Sequence, residues 1–582
     1  MTSSTLLLVC LFGGLAAGGL RSPWAWTAAS AVIWAVLLGS RRLHPHPFKA
    51  WASWLAWAAL SVVFSDQPLK CLYAFSRWAS VLAYFGLVCS LWGERERRLW
   101  FWGLCLAAPA LGLAGLWTGS PGLLRRGAGG LMTGLLPPYY NYTAFVEAAM
   151  AGGLLFALGH PGGPKGKLRL GLWALLAFAL LYLLTARARG ALLAVLAAAV
   201  FSLFHQREWR HLLRGALILI AGSWLVATVA ESNVAVSQRV SSSAYLLKLD
   251  QAQGFKRPQI WSAALKAACE RPLLGEGPGN FAQGFRRHNF PAGFGSTNYQ
   301  FFSDYAHSEP LNLAVETGWV GLALFLLAFS ATMRASPAAE ATWAQDAALG
   351  SLAAMAAHCL VDNMLHMPAL AMLFFSAAAC VKPKSPSHAL GPWAKGAACL
   401  GLVLSLAAWI PGWLANSYAA QARSSGNPAR RVEFLLKSVR IFPAESSFRE
   451  DLARAYMAIE PPEFNAATRE LEKASALDPT NALDLVMRAE ILRARRDWPR
   501  VSGLAEEALA LEPNFLQARL LRAETLARMG NKQAARRELA EIARLREELD
   551  NASHSTGYDS TVTSFDPGRF DLASRLTDGL SN

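Results

Sequence analysis

A polar stretch from Gly254 to Gly321 holds the side chains of this chain that are best suited to chemistry. It contains Arg257, His288 and His307, and it interrupts a sequence that is otherwise almost continuously apolar. Arginine presents a planar fork of donors that matches the oxygens of phosphate groups. A cluster of such cations beside apolar segments therefore predicts a site for a diphosphate.

The elements that position these side chains can be read from the same stretch. Apolar residues at helical spacing predict a surface helix over Arg257 to Glu270, ending before Pro272. Glycine and proline interrupt the segment from Gly275 to Gly295, so no helix continues there. His307 then stands directly before the next apolar run. The stretch is therefore predicted to be a helix, an irregular segment and a return to an apolar helix.

The composition indicates an integral membrane protein. Of 582 residues, 53% are hydrophobic and 16% are charged, whereas soluble domains have about 25% charged residues. The formal charge of +15 does not indicate nucleic acid, because the basic residues of the apolar part lie largely in short loops, the pattern of membrane orientation. The eight cysteines form no CxxC and have no histidines at zinc spacing, so they are predicted to be packing residues, and no metal or cofactor is expected.

Thirteen apolar runs match the length of about 17 to 25 residues that spans a bilayer. They lie near residues 5–21, 24–40, 49–65, 71–92, 99–118, 138–158, 168–185, 190–205, 213–230, 310–330, 345–361, 366–381 and 392–416. Loops rich in Lys and Arg alternate with less basic loops, which predicts a cytoplasmic N-terminus. The insert after Glu231 and the C-terminal domain then lie outside. The turn from Thr185 to Gly190, with Arg187 and Arg189, also falls outside; these two arginines either snorkel at helix ends or serve a function.

A repeat begins after the last apolar run. The pairs Phe442-Pro443, Asp478-Pro479 and Glu512-Pro513 recur at spacings of 36 and 34 residues, each preceded by a predicted helix. A period of 34 with small residues at packing positions resembles the tetratricopeptide repeat. Residues 417–550 are therefore predicted to form an α-solenoid of three to three and a half repeats with a surface for a protein partner, or else a passive lid. The polar tail over residues 551–582 is predicted to be disordered.

Several local motifs, in order, give residues 50–380 a resemblance to a known superfamily. They are YYNYTAF with Asn141, TARARG at Thr185 to Gly190, RPQIW followed by PLLGEGPGNF, HSEPLNLAVETGWVGL, and AAHCLVDNMLHMPA with His358 and Asp362. This set resembles the O-antigen ligase and polymerase superfamily, bacterial membrane proteins that transfer lipid-linked glycans. The resemblance implies an all-α polytopic bundle of 12 to 13 spans over residues 1–416, with a periplasmic loop near residues 231–309, in the bacterial inner membrane.

The resemblance also implies an activity and roles for residues. A glycan would move from undecaprenyl diphosphate to an acceptor hydroxyl without a metal, and membrane lipids would surround the site. His307 is the predicted general base, and Arg189 and Arg257 are predicted to neutralise the leaving diphosphate. The predicted substrate-binding residues are Arg187, Arg286, Arg287, Asn141, Asp304, His358 and Asp362.

Alternatives to these roles remain open at the level of the sequence. His307 could instead cap the helix that begins near Glu309, and Arg286 and Arg287 could form a solvated face. His358 and Asp362, four residues apart, are predicted to lie on one helix face as a buried hydrogen-bonded pair. The best single expectation for the function is ligation of O-antigen to lipid A-core. Polymerisation of repeat units, transfer to a Ser or Thr of a protein, and a non-catalytic membrane scaffold are the alternatives.

Overall fold

A computed structural model describes most of the chain as helices, which confirms the predicted all-α class. The described residues are 2–20, 23–40, 42–43, 45–118, 140–186, 188–206, 256–290, 303–333, 341–381, 388–389, 392–550, 562 and 564–578. They form two compact units, one of residues 1–281 with 305–410 and the other of residues 282–304 with 411–582. We call them the membrane unit and the repeat unit.

The helices of the membrane unit cover predicted apolar runs, except for two helices in the polar stretch after Gly254. They are α1 (Ser3–Ala16), α2 (Pro23–Gly39), α3 (Pro45–Val63), α4 (Pro68–Leu91), α5 (Glu94–Thr118), α6 (Tyr140–Gly159), α7 (Gly166–Thr185), α8 (Arg189–Gln206), α9 (Arg257–Glu270), α10 (Phe281–Arg286, which crosses into the repeat unit), α11 (Glu309–Met333), α12 (Trp343–Cys359), α13 (Pro368–Val381) and α14 (Pro392–Ser424, which also continues into the repeat unit). A short 3-10 turn covers Gly18–Leu20, and β1 (Arg42–Leu43) pairs antiparallel with β2 (His388–Ala389).

Each predicted run except 213–230, which lies outside the described residues, coincides with one of these helices. Five helices in the described part are long and apolar enough to cross a membrane, and further apolar helices are shorter. These lengths and compositions are those of a multi-pass membrane protein.

Small residues bring α6 and α12 into close contact. A Cβ atom added to Gly152 would lie 2.4 Å from the carbonyl oxygen of Gly350, and one added to Gly153 would lie 2.5 Å from Ser351 Oγ. Membrane helices approach closely where their facing residues are small, because packing replaces the hydrophobic effect as the driving force. This contact fixes the position of α12, whose C-terminal end leads into the turn that carries Asp362.

The glycine-rich segment after α9 packs backbone to backbone against α11. Gly275 has φ +67° and Gly318 has φ +72°, and the peptide groups meet through hydrogen bonds from Glu276 N to Val315 O (2.9 Å) and from Trp319 N to Pro272 O (2.8 Å). A Cβ atom on Gly318 would lie 2.0 Å from the carbonyl oxygen of Leu273. Glycine is needed at such positions because only it combines a positive φ with so close an approach. The first part of the segment between α9 and α11 is thus held against α11.

The repeat unit contains three successive helix pairs with a C-terminal closure. The helices are α15 (Pro428–Ile441), α16 (Ser446–Ala458), α17 (Phe464–Leu477), α18 (Ala482–Ala494), α19 (Trp498–Leu511), α20 (Leu516–Arg528), α21 (Lys532–Asp550) and α22 (Pro567–Asp578). The first helix of each pair ends one residue before the Phe-Pro, Asp-Pro or Glu-Pro dipeptide that marked the period. Ala453, Ala489 and Ala518 are buried, so the second helices pack through small residues as the repeat pattern predicts.

Two boundary expectations for this region need correction. Helix α14 runs without interruption through the predicted boundary at residues 416 and 417, because its helical pattern continues to Ser424. The tail predicted to be disordered forms α22 over Pro567–Asp578, since Arg569 pairs with Glu490 and Glu524 and Ala573 is buried. Residues 551–561 of that tail lie outside the described part of the chain.

Candidate active site

The turn after α12 places one carboxylate between a histidine and an arginine. Helix α12 ends at Cys359, and the main-chain N–H of Asp362 donates to the carbonyl of His358 at 3.0 Å. The Asp362 side chain is only 3% exposed, and its two oxygens face different partners. Oδ1 lies 3.1 Å from His307 Nδ1, and Oδ2 lies 3.2 Å from Arg257 Nη2. Asp362 therefore joins the predicted base and a predicted diphosphate-binding arginine.

His307 lies just before α11 in a backbone conformation that few side chains adopt. Its φ is +50°, in the left-handed region, and its carbonyl oxygen accepts a hydrogen bond from Trp261 Nε1 at 3.3 Å. A non-glycine residue in this region costs about 1 kcal/mol or more and persists where neighbouring contacts impose it. The ring is 30% exposed, and its Nδ1 atom faces Asp362. The described contacts thus assign Nδ1 to Asp362 and not to a helix cap.

Arg257 begins α9 and reaches the same turn. Its Nη1 donates to the carbonyl of Val361 at 2.6 Å, while Nη2 contacts Asp362. The first residue of a helix is an unfavourable place for a cation, because the helix dipole is positive there. The Asp362 carboxylate and the Val361 carbonyl offset this cost and hold the guanidinium group in place. With 25% of its side chain exposed, Arg257 keeps part of its surface available to a substrate.

Two further hydrogen bonds lock the segment of His307 to the turn of Asp362. The main-chain N–H of Ser308 donates to Asn363 Oδ1 at 2.8 Å, and that of Leu365 donates to Glu309 Oε1 at 2.6 Å. Ser308, Asn363 and Glu309 are all buried. Buried, paired polar groups of this kind fix one geometry, because breaking either bond would leave an unsatisfied group away from water.

Helix α8 brings Arg189 to the same end of the membrane unit. Arg189 is its first residue, and the next residue, Gly190, packs on the turn after α12. A Cβ atom on Gly190 would lie 3.1 Å from Val361 Cγ2 and 3.2 Å from His358 Nε2. Three segments therefore meet here: the turn before α8, the insert and the turn after α12. The charge pattern assigns all three to the same side of the membrane.

The electrostatics of Asp362 favour its ionised form. Burial alone would raise the pKa of this carboxyl group, but the hydrogen bond to His307 and the positive charge of Arg257 outweigh it and lower the pKa. A carboxylate at Nδ1 orders the imidazole so that Nδ1 carries the proton and Nε2 stays free to accept one. His307 is therefore held in the form that a general base requires.

Other predicted residues lie elsewhere or cannot be placed. Arg286 pairs with Asp478 inside the repeat unit, and Arg287 and Asp304 are exposed residues of the same unit. Arg187 lies outside the described residues. Asn141 is the second residue of α6, but its side chain is also outside the described part. Of the ten predicted side chains, the structure brings together His307, Arg257 and Asp362 by direct contact.

The predicted pairing of His358 with Asp362 holds only as an electrostatic interaction, without a hydrogen bond between these two described side chains. Both residues are buried, but α12 ends between them, so they do not share a helix face. The carboxylate contacts His307 and Arg257, while the His358 ring stacks on Phe145 with 5.4 Å between ring centroids. His358 is a packing residue beneath the turn, and Asp362 orients other side chains.

Sequence reasoning missed residues that hold the site in shape. Asn363 and Trp261 both bind the main chain next to His307. The motif VDN carries no local signal for this role of Asn363, because its partner, the main-chain N–H of Ser308, lies 55 residues away. Among the described residues, no group of His, Cys, Asp and Glu is arranged to hold a metal ion.

Comparison with known proteins bears on the region that contains these residues. Residues 174–326 match the family model for O-antigen ligase, which confirms the resemblance drawn from the motifs. That range includes Arg189, Arg257 and His307 and ends before Asp362. No curated protein matches the chain. A solved structure, the crystal structure of the APC/C hetero-tetramer Cut9-Hcn1, aligns over 99% of this chain and 98% of that chain, with 11% identity and a TM-score of 0.23.

Proposed function

We propose that this multi-pass membrane protein, which matches the O-antigen ligase family model over residues 174–326, transfers a glycan from a lipid-linked diphosphate to an acceptor hydroxyl. The observation that carries the proposal is the shared contact of Asp362 with His307 and Arg257. One carboxylate orients a base and a diphosphate-binding cation together. Glycosyl transfer from a diphosphate carrier needs a base for the acceptor hydroxyl and a cation for the leaving diphosphate within one site.

The step is a direct displacement at the anomeric carbon. His307 Nε2 takes the proton of the acceptor hydroxyl as its oxygen forms the new bond to the anomeric carbon. The bond from that carbon to the diphosphate oxygen breaks, and its electron pair leaves with the diphosphate. Arg257 and Arg189 neutralise the charge that grows on the leaving group. The configuration at the carbon inverts, and no nucleotide or metal takes part in the proposed step.

Donor, acceptor and membrane side are finer parts of the same proposal. The donor is a glycan on undecaprenyl diphosphate, and the acceptor is lipid A-core. The site faces the periplasmic side of the bacterial inner membrane, because the loops on the opposite side are more basic. The repeat unit would lie on the periplasmic side as well.

A transfer assay with purified protein tests the proposal. The full chain is reconstituted in lipid nanodiscs with an undecaprenyl diphosphate glycan and lipid A-core, and the product is measured by mass spectrometry. We expect His307→Gln to lower the rate by about 10²- to 10⁴-fold, the usual contribution of a general base. Arg257→Gln and Arg189→Gln should lower the rate while leaving the proton acceptor in place.

Two control variants match these changes in chemistry. His160→Gln removes a histidine of the same unit that contacts the carbonyl of Ala341, and Arg98→Gln removes an exposed arginine paired with Glu94. Both should retain the wild-type rate. Wild-type activity of His307→Gln, or an equal loss in His160→Gln, would contradict the proposal.

The repeat unit favours one alternative acceptor, a polypeptide. Helical repeats present a surface suited to binding a chain of another protein. The same assay with a Ser- and Thr-containing acceptor protein in place of lipid A-core distinguishes the two. Glycosylated protein with no modified lipid would replace the lipid acceptor in the proposal and keep the mechanism. Extended glycan on the carrier alone would indicate a polymerase.

A further inference from the structure

Three arginines surround a cavity in the repeat unit, next to the end of α14. The cavity has a volume of about 230 Å3, and its polar lining consists of Arg423, Arg431, Arg454 and Asp451. Leu435 and two alanines form its apolar wall. The elements that meet there are the last turn of α14 and the first helix pair, α15 and α16. The cavity is separate from the residues of the proposed transfer site.

The charges around this cavity are unbalanced. One carboxylate, Asp451, contacts two guanidinium groups, Arg454 at 2.9 Å and Arg423 at 3.5 Å. Arg454 also lies 3.8 Å from Glu450. The described residues give Arg431 no carboxylate within ion-pair distance. The lining therefore has more positive than negative charge, which favours an anionic ligand.

Arg431 is held in an orientation that suits a phosphate group. Its Nε donates to the carbonyl of Ser425 at 2.7 Å, which fixes the guanidinium plane through the inner nitrogen. The two terminal nitrogens form the fork that binds phosphate oxygens in a bidentate way. Because the side chain is ordered in advance, binding loses less conformational entropy than at a free surface arginine.

The position in the chain indicates where such a ligand would come from. Helix α14 is long and apolar enough to cross a membrane, and Arg423 lies in its last turn. Cationic side chains just beyond a span lie at the level of lipid phosphates. The same groups would also bind the phosphate of a soluble molecule.

We propose that this cavity binds a phosphomonoester or diphosphate group. The inference goes beyond the proposed transfer reaction and does not depend on it, because no residue of the cavity takes part in that step. The ligand is anchored by the fork of Arg431 and by Arg454 and Arg423. Asp451 weakens this binding, because its carboxylate pairs with Arg454 and Arg423 and repels an anionic ligand.

Hydrogen exchange of the full chain tests this site. The protein is placed in phosphatidylcholine nanodiscs, and amide exchange is followed over α15. One arm adds inorganic pyrophosphate, and the other replaces part of the lipid with phosphatidic acid, which carries a phosphomonoester. We expect slower exchange of α15 in at least one arm. Protection only with phosphatidic acid indicates a lipid headgroup, and protection with pyrophosphate indicates a soluble phosphate ligand.

Variants with opposite expected effects separate binding from folding. Arg431→Gln should weaken the apparent affinity for the protecting ligand about tenfold. Arg430→Gln, which alters the exposed neighbouring arginine, should keep the wild-type affinity. Asp451→Asn should bind several-fold more tightly, a result that damage to the fold cannot produce. Absence of protection in both arms, or equal affinity of wild type, Arg431→Gln and Asp451→Asn, would overturn the proposal.

Discussion

Two partly buried arginines, one in each unit, have opposite balances of charge. In the repeat unit, Arg569 contacts two carboxylates, Glu490 at 2.6 Å and Glu524 at 3.1 Å. In the membrane unit, the situation is reversed, because one carboxylate, Asp362, serves both Arg257 and His307. A cation with two anionic partners has its charge satisfied within the fold. An arginine whose single carboxylate is shared with a histidine keeps the capacity to bind a further anion, so the second arrangement indicates a site and the first a structural contact.

The largest effect that we predict is a loss of transfer rate in Asp362→Asn, which tests the membrane-unit side of this comparison. The variant keeps the shape of the side chain but removes the charge that orders His307 and Arg257, so we expect a loss of about 10²- to 10⁴-fold. The measurement is the transfer assay in nanodiscs. Asp346→Asn is the matched control, since Asp346 lies in the first turn of α12, at the end remote from Asp362, and contacts His205 at 3.4 Å. An equal loss in both variants would mean that Asp362 is merely structural.

The next effect concerns stability in the repeat unit. Arg569→Met removes the cation that Glu490 and Glu524 share, so among the described arginines Glu490 keeps only Arg493 as a partner, and Glu524, which is 1% exposed, keeps only Arg528. We expect the free energy of unfolding of this unit to fall by about 3 kcal/mol, measured by denaturant-dependent hydrogen exchange of α18 and α20. Arg536→Met, which breaks the exposed pair with Asp578, should change it far less. If the two variants were equally stable, the assignment of Arg569 as a structural cation would fail.

A smaller, pH-dependent effect is expected at Asp484 in α18. This carboxyl group is fully buried, and burial together with the charges of Glu450 and Asp478 raises its pKa to about 7. Because the folded form holds its proton more tightly than the unfolded form, this group's stability contribution is present below pH ~4 and is lost as the pH rises toward 7. Asp484→Asn should therefore be more stable than wild type by about 2 kcal/mol near pH 8. Parallel stability curves for the two proteins between about pH 4 and pH 8 would contradict this account.

The smallest effect is expected at an exposed ion pair. Lys437 Nζ lies 2.7 Å from Glu433 Oε1 on the surface of α15. Solvent screens this pair, so Glu433→Gln should leave the unfolding transition of the repeat unit unchanged within error. The same denaturant series as for Arg569→Met checks it. A loss comparable to that of Arg569→Met would show that the balance of charges does not separate the two kinds of contact.

The fold could be predicted largely because its main signal is local. An apolar run long enough to cross a bilayer is visible within about 20 residues of sequence, and so is the proline that follows a helix of each repeat. Helix α22 is the exception in the described part. Its sequence is polar, and its order depends on contacts of Arg569 with residues of α18 and α20 that are far away in the chain. Long-range contacts of this kind are not visible in composition.

The residue types of the site could be predicted from the sequence, but the contacts between these residues could not. Histidine and arginine are recognisable as a base and a diphosphate ligand wherever they stand. Asp362 lies 55 residues from His307 and 105 from Arg257 in the sequence, so nothing local links them. The same holds for Arg286, whose type suggested a substrate contact and whose partner is Asp478, 192 residues away. Deciding whether an arginine binds a ligand or stabilises the fold requires knowing which carboxylates it contacts.

A double-mutant cycle between His307 and Asp362 tests the central claim most directly. Single-turnover transfer rates are measured for wild type, His307→Gln, Asp362→Asn and the combined variant under identical conditions. If Asp362 acts by ordering His307, the second change costs little once the first is present, and the double variant should be about as slow as His307→Gln. Rate losses that multiply would contradict the account, because they would mean that the two residues act independently.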